Sequence, residues 1–174
     1  MTTLSGMASR LRLGLGLAVV VALLDQLSKA GILEQMLGDG AAPAAGRRAI
    51  LPFLDFVLVW NRGVSFGMGN TPGAYNALAF TLLSAVIGAA LVVWMTKTGD
   101  RPILVALGLV VGGALGNAVD RLRFGAVVDF LYVHIGAFDW WPAFNLADSA
   151  ICVGAALLAL DSLFGKRESH KNRP

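Results

Sequence analysis

The chain has 174 residues, of which 56% are hydrophobic and 14% charged, with a mean hydropathy of +0.69 and a formal net charge of +3. Soluble domains carry about 25% charged residues, so this composition excludes an ordinary water-soluble globule and favours an integral membrane protein. The small, scattered positive charge gives no support to nucleic-acid binding. A single cysteine, Cys152, excludes an intramolecular disulfide framework and a cysteine-rich metal site.

Four apolar segments, each near the ~20 residues that a helix needs to cross a bilayer, predict an α-helical integral membrane protein. Helices are expected because unpaired backbone groups are too costly in hydrocarbon. The predicted transmembrane helices are 11–32, 74–95, 103–119 and 144–164.

The first segment follows Arg10 and Arg12, as the apolar core of a cleaved signal peptide does. Asp25 and Lys29 interrupt its end, however, and "LSKAG" is a poor cleavage site, which favours a retained helix. Asp25 and Lys29 are four residues apart, so they share a helix face and can pair. We weigh a structural ion pair, with Lys29 reaching outward, equally with a place in a substrate site.

The region 34–73 is too long for a plain connection between two helices. Residues 38–46 are rich in Gly, Ala and Pro and predict a loop, whereas "LDFVLVWN" at 54–61 has the alternation and composition of a strand. We therefore predict a small extracytoplasmic β-sheet between helices 1 and 2.

The motif "GVSFG" at 63–67 matches the G-x-S-x-G elbow of serine hydrolases. That elbow requires a helix immediately after it, but "MGNTPG" follows here, and His134 would have to serve as the base. We reject a serine nucleophile on these grounds.

Two helices carry small residues four positions apart, which lets another helix backbone approach closely. They are Gly108, Gly112 and Gly116 in the third segment and Thr81, Ala85 and Ala89 in the second. Close packing explains these residues, and we assign them no chemistry.

The stretch "GNAVDR" contains Asn117, Asp120 and Arg121 and is predicted to end the third helix. Asn117 and Arg121 share a face and can position a peptide carbonyl or a carboxylate. The alternative is a plain helix end with Arg121 among the lipid headgroups. Beyond it, "FGAVVDFLYVHIG" predicts extended structure, and Trp140 and Trp141 suit the headgroup level.

Two carboxylates, Asp129 and Asp148, lie 19 residues apart. Asp148 shares a face with Asn145 at the start of the fourth helix, where the helix dipole alone explains a carboxylate. A strand ending near the same depth can bring Asp129 to it. Two carboxylates in one site cannot easily both ionise, so one keeps its proton. Such a pair can split an amide with water and requires neither a covalent intermediate nor a metal.

Four crossings place both termini on one side of the membrane. That side carries eight Lys and Arg residues, including those of the tail 165–174, and the other side carries five. The bias favours both termini in the cytoplasm.

Five blocks in order, "DQLSK", "WNRGVSFG", "GGALGNAVDR", "VVDF" and "FNLADSAI", are similar to those of the lipoprotein signal peptidase (signal peptidase II) family, over nearly the whole chain. The resemblance implies one peptidase domain, 1–174, with Asp129 and Asp148 as its catalytic aspartates. It implies a site shaped by Asp25, Lys29, Asn61, Gly63, Gly113, Asn117, Arg121 and Asn145. Val64 and Ser65 depart mildly from the family pattern N-x-G-A-A-F.

The resemblance also implies a bacterial inner-membrane enzyme with its site toward the outer leaflet. Its substrate would be a prolipoprotein whose lipobox cysteine carries diacylglyceryl, and it would cut just before that cysteine. Globomycin is expected to inhibit it, membrane lipids to surround it, and no cofactor or metal to be needed; we expect a monomer. The alternatives are a small transporter or proton-relay subunit, which would spread its carboxylates through the bilayer, and a structural membrane protein.

Overall fold

The computed structural model describes residues 4–37, 47–63, 74–136 and 141–164. Its elements are, in chain order, α1 (Leu4–Leu37), β1 (Arg47–Leu51), β2 (Leu54–Asn61), α2 (Ala74–Lys97), α3 (Arg101–Phe124), β3 (Val127–Val133) and α4 (Leu146–Phe164). Four helices and a small sheet confirm the predicted fold class. The predictions for the loop 38–46, for Val64 and Ser65, for Trp140 and for the tail 165–174 lie outside the described residues.

All four helices are long and apolar enough to cross a membrane. In the middle of α1, apolar side chains are exposed and charged side chains are buried, which is the reverse of the pattern in a soluble protein. Leu24 and Leu27 are 52% and 68% exposed, whereas Asp25 and Lys29 are 0% and 2% exposed. Lipid explains this arrangement, because it solvates leucine and leaves charged groups to find partners inside the protein.

Helix α1 extends beyond the predicted 11–32 at both ends. The sheet stabilises the last turns of this helix, because Ile32 and Met36 pack against Phe130 of β3. The sheet is therefore mounted on the end of α1. We call this end of the helices the sheet end, and the opposite end, with residues 98–100 between α2 and α3, the turn end.

The sheet is antiparallel with the order β1-β2-β3. Strand β2 coincides with the predicted strand at 54–61, and β3 lies in the stretch predicted to be extended. The prediction of a sheet formed between helices 1 and 2 alone was incomplete, because β3 comes from the connection between α3 and α4. It covers the edge that β2 would otherwise leave unpaired.

The glycine stripe of α3 packs against α1, as predicted. A Cβ atom added to Gly108 would lie 2.7 Å from the carbonyl oxygen of Gly14, and one added to Gly112 would lie 2.6 Å from that of Ala18. The prediction was wrong for α2, where Ala85 and Ala89 are exposed. There Thr81 and Ala85 help to line an apolar cavity of about 300 Å³ between α2 and α3.

Helix α3 also continues past its predicted end at residue 119. It ends at Gly125, which has φ 68° and donates its N–H to the carbonyl oxygen of Arg121 at 3.0 Å. Glycine adopts this left-handed conformation without steric strain. The stretch "GNAVDR" therefore lies within the last three turns of α3 and does not terminate it.

Candidate active site

The start of α4 is fixed by backbone pairing with β3. Phe144 donates its N–H to the carbonyl oxygen of Leu131 at 2.9 Å and accepts the N–H of Leu131 at 2.8 Å. Because Phe144 is paired as in a strand, α4 begins at Leu146 and not at residue 144 as predicted. The pairing places Asn145 beside β3.

Asn145 and Asp148 form a reciprocal cap at the first turn of α4. The backbone N–H of Asp148 donates to Oδ1 of Asn145 at 2.9 Å, and the backbone N–H of Asn145 donates to Oδ2 of Asp148 at 3.3 Å. Such a capping box satisfies backbone donors that a helix start leaves without partners. It also fixes the direction of the Asp148 side chain.

The same asparagine contacts the second carboxylate. Nδ2 of Asn145 donates to Oδ1 of Asp129 at 2.7 Å, while the side chain of Asn145 is fully buried. One amide thus binds the backbone of Asp148 through its oxygen and the carboxylate of Asp129 through its nitrogen. The structure brings the two aspartates into one site with Asn145 between them.

Asp129 lies on β3 and is 1% exposed. Its other oxygen, Oδ2, accepts a hydrogen bond from Nδ2 of Asn61 at 3.0 Å. Val59 of β2 is the register partner of Asp129, so Asn61, two residues further along, lies on the same face of the sheet. Burial, and next the nearby charge of Asp148, raise the pKa of Asp129 to about 7, although the bonds from Asn61 and Asn145 act in the opposite direction.

Asn117 connects Asp148 to a second cluster of charges. Its Nδ2 donates to Oδ1 of Asp148 at 2.8 Å, and its Oδ1 accepts from Nδ2 of Asn145 and from Nζ of Lys29, both at 3.2 Å. Because the amide group has both donor and acceptor ends, Asn117 contacts a carboxylate on one side and an ammonium group on the other.

Lys29 is the cation of that second cluster. Its Nζ lies 2.7 Å from Oδ2 of Asp25 and 2.8 Å from Oδ2 of Asp120. Its side chain is buried, so the alternative in which it reaches outward from the helix end was wrong. The predicted pairing of Asp25 with Lys29 is confirmed, and it is part of a network and not an isolated ion pair.

Asp25 also contacts the first turn of α4. Its Oδ1 accepts the backbone N–H of Ala147 at 2.9 Å, another donor that the helix start leaves unpaired. Two glycines of α3 allow this close approach. A Cβ atom at Gly113 would collide with the carbonyl oxygen of Ala147, and one at Gly116 would lie 2.6 Å from Oδ2 of Asp25.

Arg121 is the remaining predicted site residue, and it contacts Gly63. Its Nη2 donates to the carbonyl oxygen of Gly63 at 3.2 Å, and the N–H of Gly63 donates to Oδ1 of Asn61 at 3.0 Å. Nε of Arg121 is buried, and no described residue accepts a hydrogen bond from it.

Sequence reasoning left Asp120 and Gln26 out of the predicted site. Asp120 is 1% exposed and accepts from Nε2 of Gln26 at 2.7 Å and from the backbone N–H of Val128 at 3.0 Å. It thus ties α1 and α3 to the residue just before Asp129. The signal was present in the sequence, because Asp120 and Asn117 are one turn apart on α3 and face the same neighbours.

His134 lies elsewhere, at the other end of the sheet strands from Asn61. Its Nε2 is 3.4 Å from Oδ2 of Asp55, which also pairs with Arg47. The hydrogen bond from Arg47 lowers the pKa of Asp55. These groups connect β1, β2 and the end of β3, and no contact between them and the two aspartates occurs among the described residues.

An apolar cavity of about 390 Å³ opens beside Asp148. Trp141, Phe144, Cys152 and Val153 contribute to its walls. Ligand sites are typically apolar cavities of this size with a few polar groups at one edge. Within the described ranges, no three His, Cys, Asp or Glu side chains are grouped so that they could hold a metal ion.

Comparisons with known proteins identify the family of the chain. The family model described as signal peptidase (SPase) II matches residues 17–164. A lipoprotein signal peptidase of Methylorubrum extorquens is 52% identical over 116 residues, 66% of each chain. One of Paraburkholderia phymatum is 45% identical over 151 residues, 86% of each chain.

Solved structures are similar as well. A bacterial membrane enzyme determined by the in meso method at 2.3 Å resolution superposes with a TM-score of 0.75 at 27% identity, covering 92% of this chain and 93% of the other. Another, at 1.9 Å resolution, gives 0.72 at 30% identity, covering 87% and 92%. The chain is a multi-pass membrane protein, and it belongs to the signal peptidase II family.

Proposed function

We propose that this chain is an aspartyl endopeptidase that removes the signal peptide from diacylglyceryl-modified bacterial prolipoproteins, cutting just before the lipid-modified cysteine. The main support for this proposal is the position of Asn145, whose amide contacts Asp129 through its nitrogen and the backbone of Asp148 through its oxygen. A shared site of two carboxylates supports hydrolysis by activated water. The family, and the names of the relatives, support the substrate class.

The two carboxylates hold one proton between them near neutral pH. We assign this proton to Asp129, because burial and next the charge of Asp148 raise its pKa to about 7. The proposal gives the charge to Asp148. Its burial opposes the ionised form, whereas the hydrogen bonds that it accepts from Asn117 and from the backbone of Asn145 at the positive end of α4 favour it. The pair titrates as a unit.

Cleavage follows from this protonation state. Ionised Asp148 takes a proton from water as the water oxygen bonds to the peptide carbonyl carbon, and Asp129 gives its proton to the carbonyl oxygen. When the C–N bond breaks, the leaving amine takes the proton now held by Asp148. The hydroxyl proton returns to Asp129 as the new carboxyl group forms, so the pair regains its starting state.

The other site residues hold this pair in place. Lys29, through Asn117, supplies positive charge beside Asp148. Arg121 holds the backbone of Gly63 through the hydrogen bond from its Nη2. The residues that we propose to shape the site are Asp25, Lys29, Asn61, Gly63, Gly113, Asn117, Arg121 and Asn145.

The apolar cavity beside Asp148 supports a substrate that remains in the membrane. Its walls of Trp141, Phe144 and Val153 suit the hydrocarbon part of such a substrate. The proposal places a single peptidase domain, 1–174, in the bacterial inner membrane as a monomer, with both termini in the cytoplasm and the sheet end toward the outer leaflet.

The test is processing of a diacylglyceryl-modified prolipoprotein by the full chain in membranes. Asp129→Asn and Asp148→Asn are each expected to lower the cleavage rate at least about 100-fold, the range lost with one acid–base group. Asp161→Asn, an exposed position on the same helix as Asp148, is the matched control and should cleave normally. Full cleavage by either site variant would refute the proposal, provided that both insert into the membrane as the wild type does.

Two compounds added to the cleavage assay distinguish this mechanism from others. Globomycin should block cleavage, and EDTA should leave the rate unchanged. A loss of activity in EDTA that zinc or another metal restores would point to a metal-dependent hydrolase instead.

A further inference from the structure

A second cavity lies at the turn end, far from the two aspartates. It has a volume of about 320 Å³ and is lined by Ser9, Arg10 and Leu13 of α1 and by Gly99, Arg101 and Leu104 around the start of α3. Arg10 precedes Asp25 by 15 residues along α1, a distance of about 22 Å at 1.5 Å per residue. The cavity is therefore separate from the candidate active site.

Two arginines from different helices point to the ligand of this cavity. Arg10 is half-buried and crosses to the turn, where a Cβ atom added to Gly99 would lie 3.4 Å from its Nη2. Within the described part of the chain, neither Arg10 nor Arg101 has a carboxylate or hydrogen-bonding partner. Two unpaired guanidinium groups on one cavity favour an anion, and their planar forks match a phosphate.

The surrounding charges also favour the binding of an anion. The described charged side chains at the turn end are Arg10, Arg12, Lys97, Arg101, Asp100 and Asp161. Four of these are basic and two are acidic, so the local charge is positive. Asp100 caps α3 only through its backbone and does not line the cavity.

The position of the cavity identifies the kind of anion. It lies where three of the candidate membrane spans begin or end, near Gly6, Lys97 and Arg101. Lipid headgroups occupy this level in a bilayer, and basic pockets between transmembrane helices bind anionic headgroups. Leu13 and Leu104 add apolar surface to the same cavity, which suits the first carbons of an acyl chain.

We propose that this cavity binds the phosphodiester headgroup of an anionic phospholipid through Arg10 and Arg101. The lipid would join the start of α1 to the start of α3, two helices that also meet along their glycine-lined contact and through the ion pair of Lys29 with Asp120. A zwitterionic headgroup binds more weakly, because its own ammonium group opposes the two arginines. This proposal does not depend on the peptidase activity.

The experiment measures lipid binding to the full chain in detergent micelles by native mass spectrometry. Phosphatidylglycerol and phosphatidylcholine with identical acyl chains are titrated separately, and inorganic phosphate is added as a competitor. The wild type should prefer phosphatidylglycerol. The double variant Arg10→Gln/Arg101→Gln should bind it about 25-fold more weakly, from ~1 kcal/mol per basic residue.

Lys97→Gln is the matched control, since it removes one positive charge from the turn end without touching the cavity lining. It should change the affinity by no more than about twofold. An equal loss in Lys97→Gln would overturn the site in favour of a diffuse charge effect. Equal binding of the two lipids, or displacement of the lipid by millimolar inorganic phosphate, would also overturn it. Thermal unfolding of each variant verifies that it is folded.

Discussion

At Asp129, burial in the protein and the charge of Asp148 act in the same direction, since both disfavour the ionised carboxylate. The ordinary pKa of an aspartate is 3.8, and that of Asp129 in the folded state is about 7. Between these two pH values the folded state therefore keeps a proton that the unfolded state has released. Neither of these effects can be calculated from the sequence, because both depend on how closely Asn145 and β3 pack.

This protonation predicts how stability depends on pH. The stabilising contribution of the Asp129 proton is fully present below about pH 4 and is lost as the pH rises through 7, because the folded state is the one with the raised pKa. The free energy of unfolding should fall across this window by on the order of 4 kcal/mol. Asp129→Asn should remove most of that fall, as measured by thermal unfolding in detergent at pH 4 and pH 8. Cleavage by the wild type should decline on the alkaline side with a midpoint near 7.

A second prediction at this scale concerns the cavity beside Asp148. Cys152 is exposed and lines it, so Cys152→Phe should fill part of the space proposed for the substrate. We expect kcat/KM for a lipid-modified prolipoprotein to fall about tenfold, which corresponds to ~1.4 kcal/mol. Ala159→Phe, at an exposed position of α4 outside that cavity, adds at least as much bulk. If both variants lose activity equally, the cavity does not bind the substrate.

Among the secondary-structure elements, the buried charges join α1 to α3. Lys29→Met would leave Asp25 and Asp120, 0% and 1% exposed, without their shared cation. Breaking a buried ion pair in this way costs about 3–5 kcal/mol. Asp120→Asn keeps the pair of Lys29 with Asp25 and should cost less, about 1–3 kcal/mol. Thermal unfolding of the two variants in detergent shows which of them loses more stability. A larger loss of stability in Asp120→Asn would contradict this account of the cluster.

Most of the helices and strands could be predicted from composition and periodicity, because lipid allows few alternatives to a long apolar helix. The errors concern the residues at which the helices begin and end. Nothing in the residue pattern distinguishes Phe144 in an extended pairing from Phe144 in a first helical turn, since the outcome depends on the free edge of β3. The length of α1 beyond residue 32 depends likewise on the sheet that packs against Ile32 and Met36.

In the molecule as a whole, the position of the site could be anticipated but its connections could not. Helical spacing indicated that Asp25 and Lys29 share a face, and this pairing is confirmed. The contact between Lys29 and Asp120 joins residues 91 positions apart, and only the packing of α3 on α1 creates it. Spacing along one helix reports local neighbours, whereas the network that reaches Asp148 crosses three helices and a strand.

The distribution of charge over the whole chain predicts its orientation. The turn end carries Arg10, Arg12, Lys97 and Arg101, and the tail 165–174 that follows α4 adds four more Lys and Arg residues, whereas the other side carries five. The positive-inside rule therefore places the turn end in the cytoplasm and the sheet end outside. In a Cys152→Ser background, Arg48→Cys on β1 should react with a membrane-impermeant maleimide in intact spheroplasts. Lys97→Cys should react only after the membrane is permeabilised; both positions are exposed, so burial does not separate them. The reverse pattern would put the two aspartates on the cytoplasmic side, where an exported, lipid-modified precursor could not present its cleavage site to them.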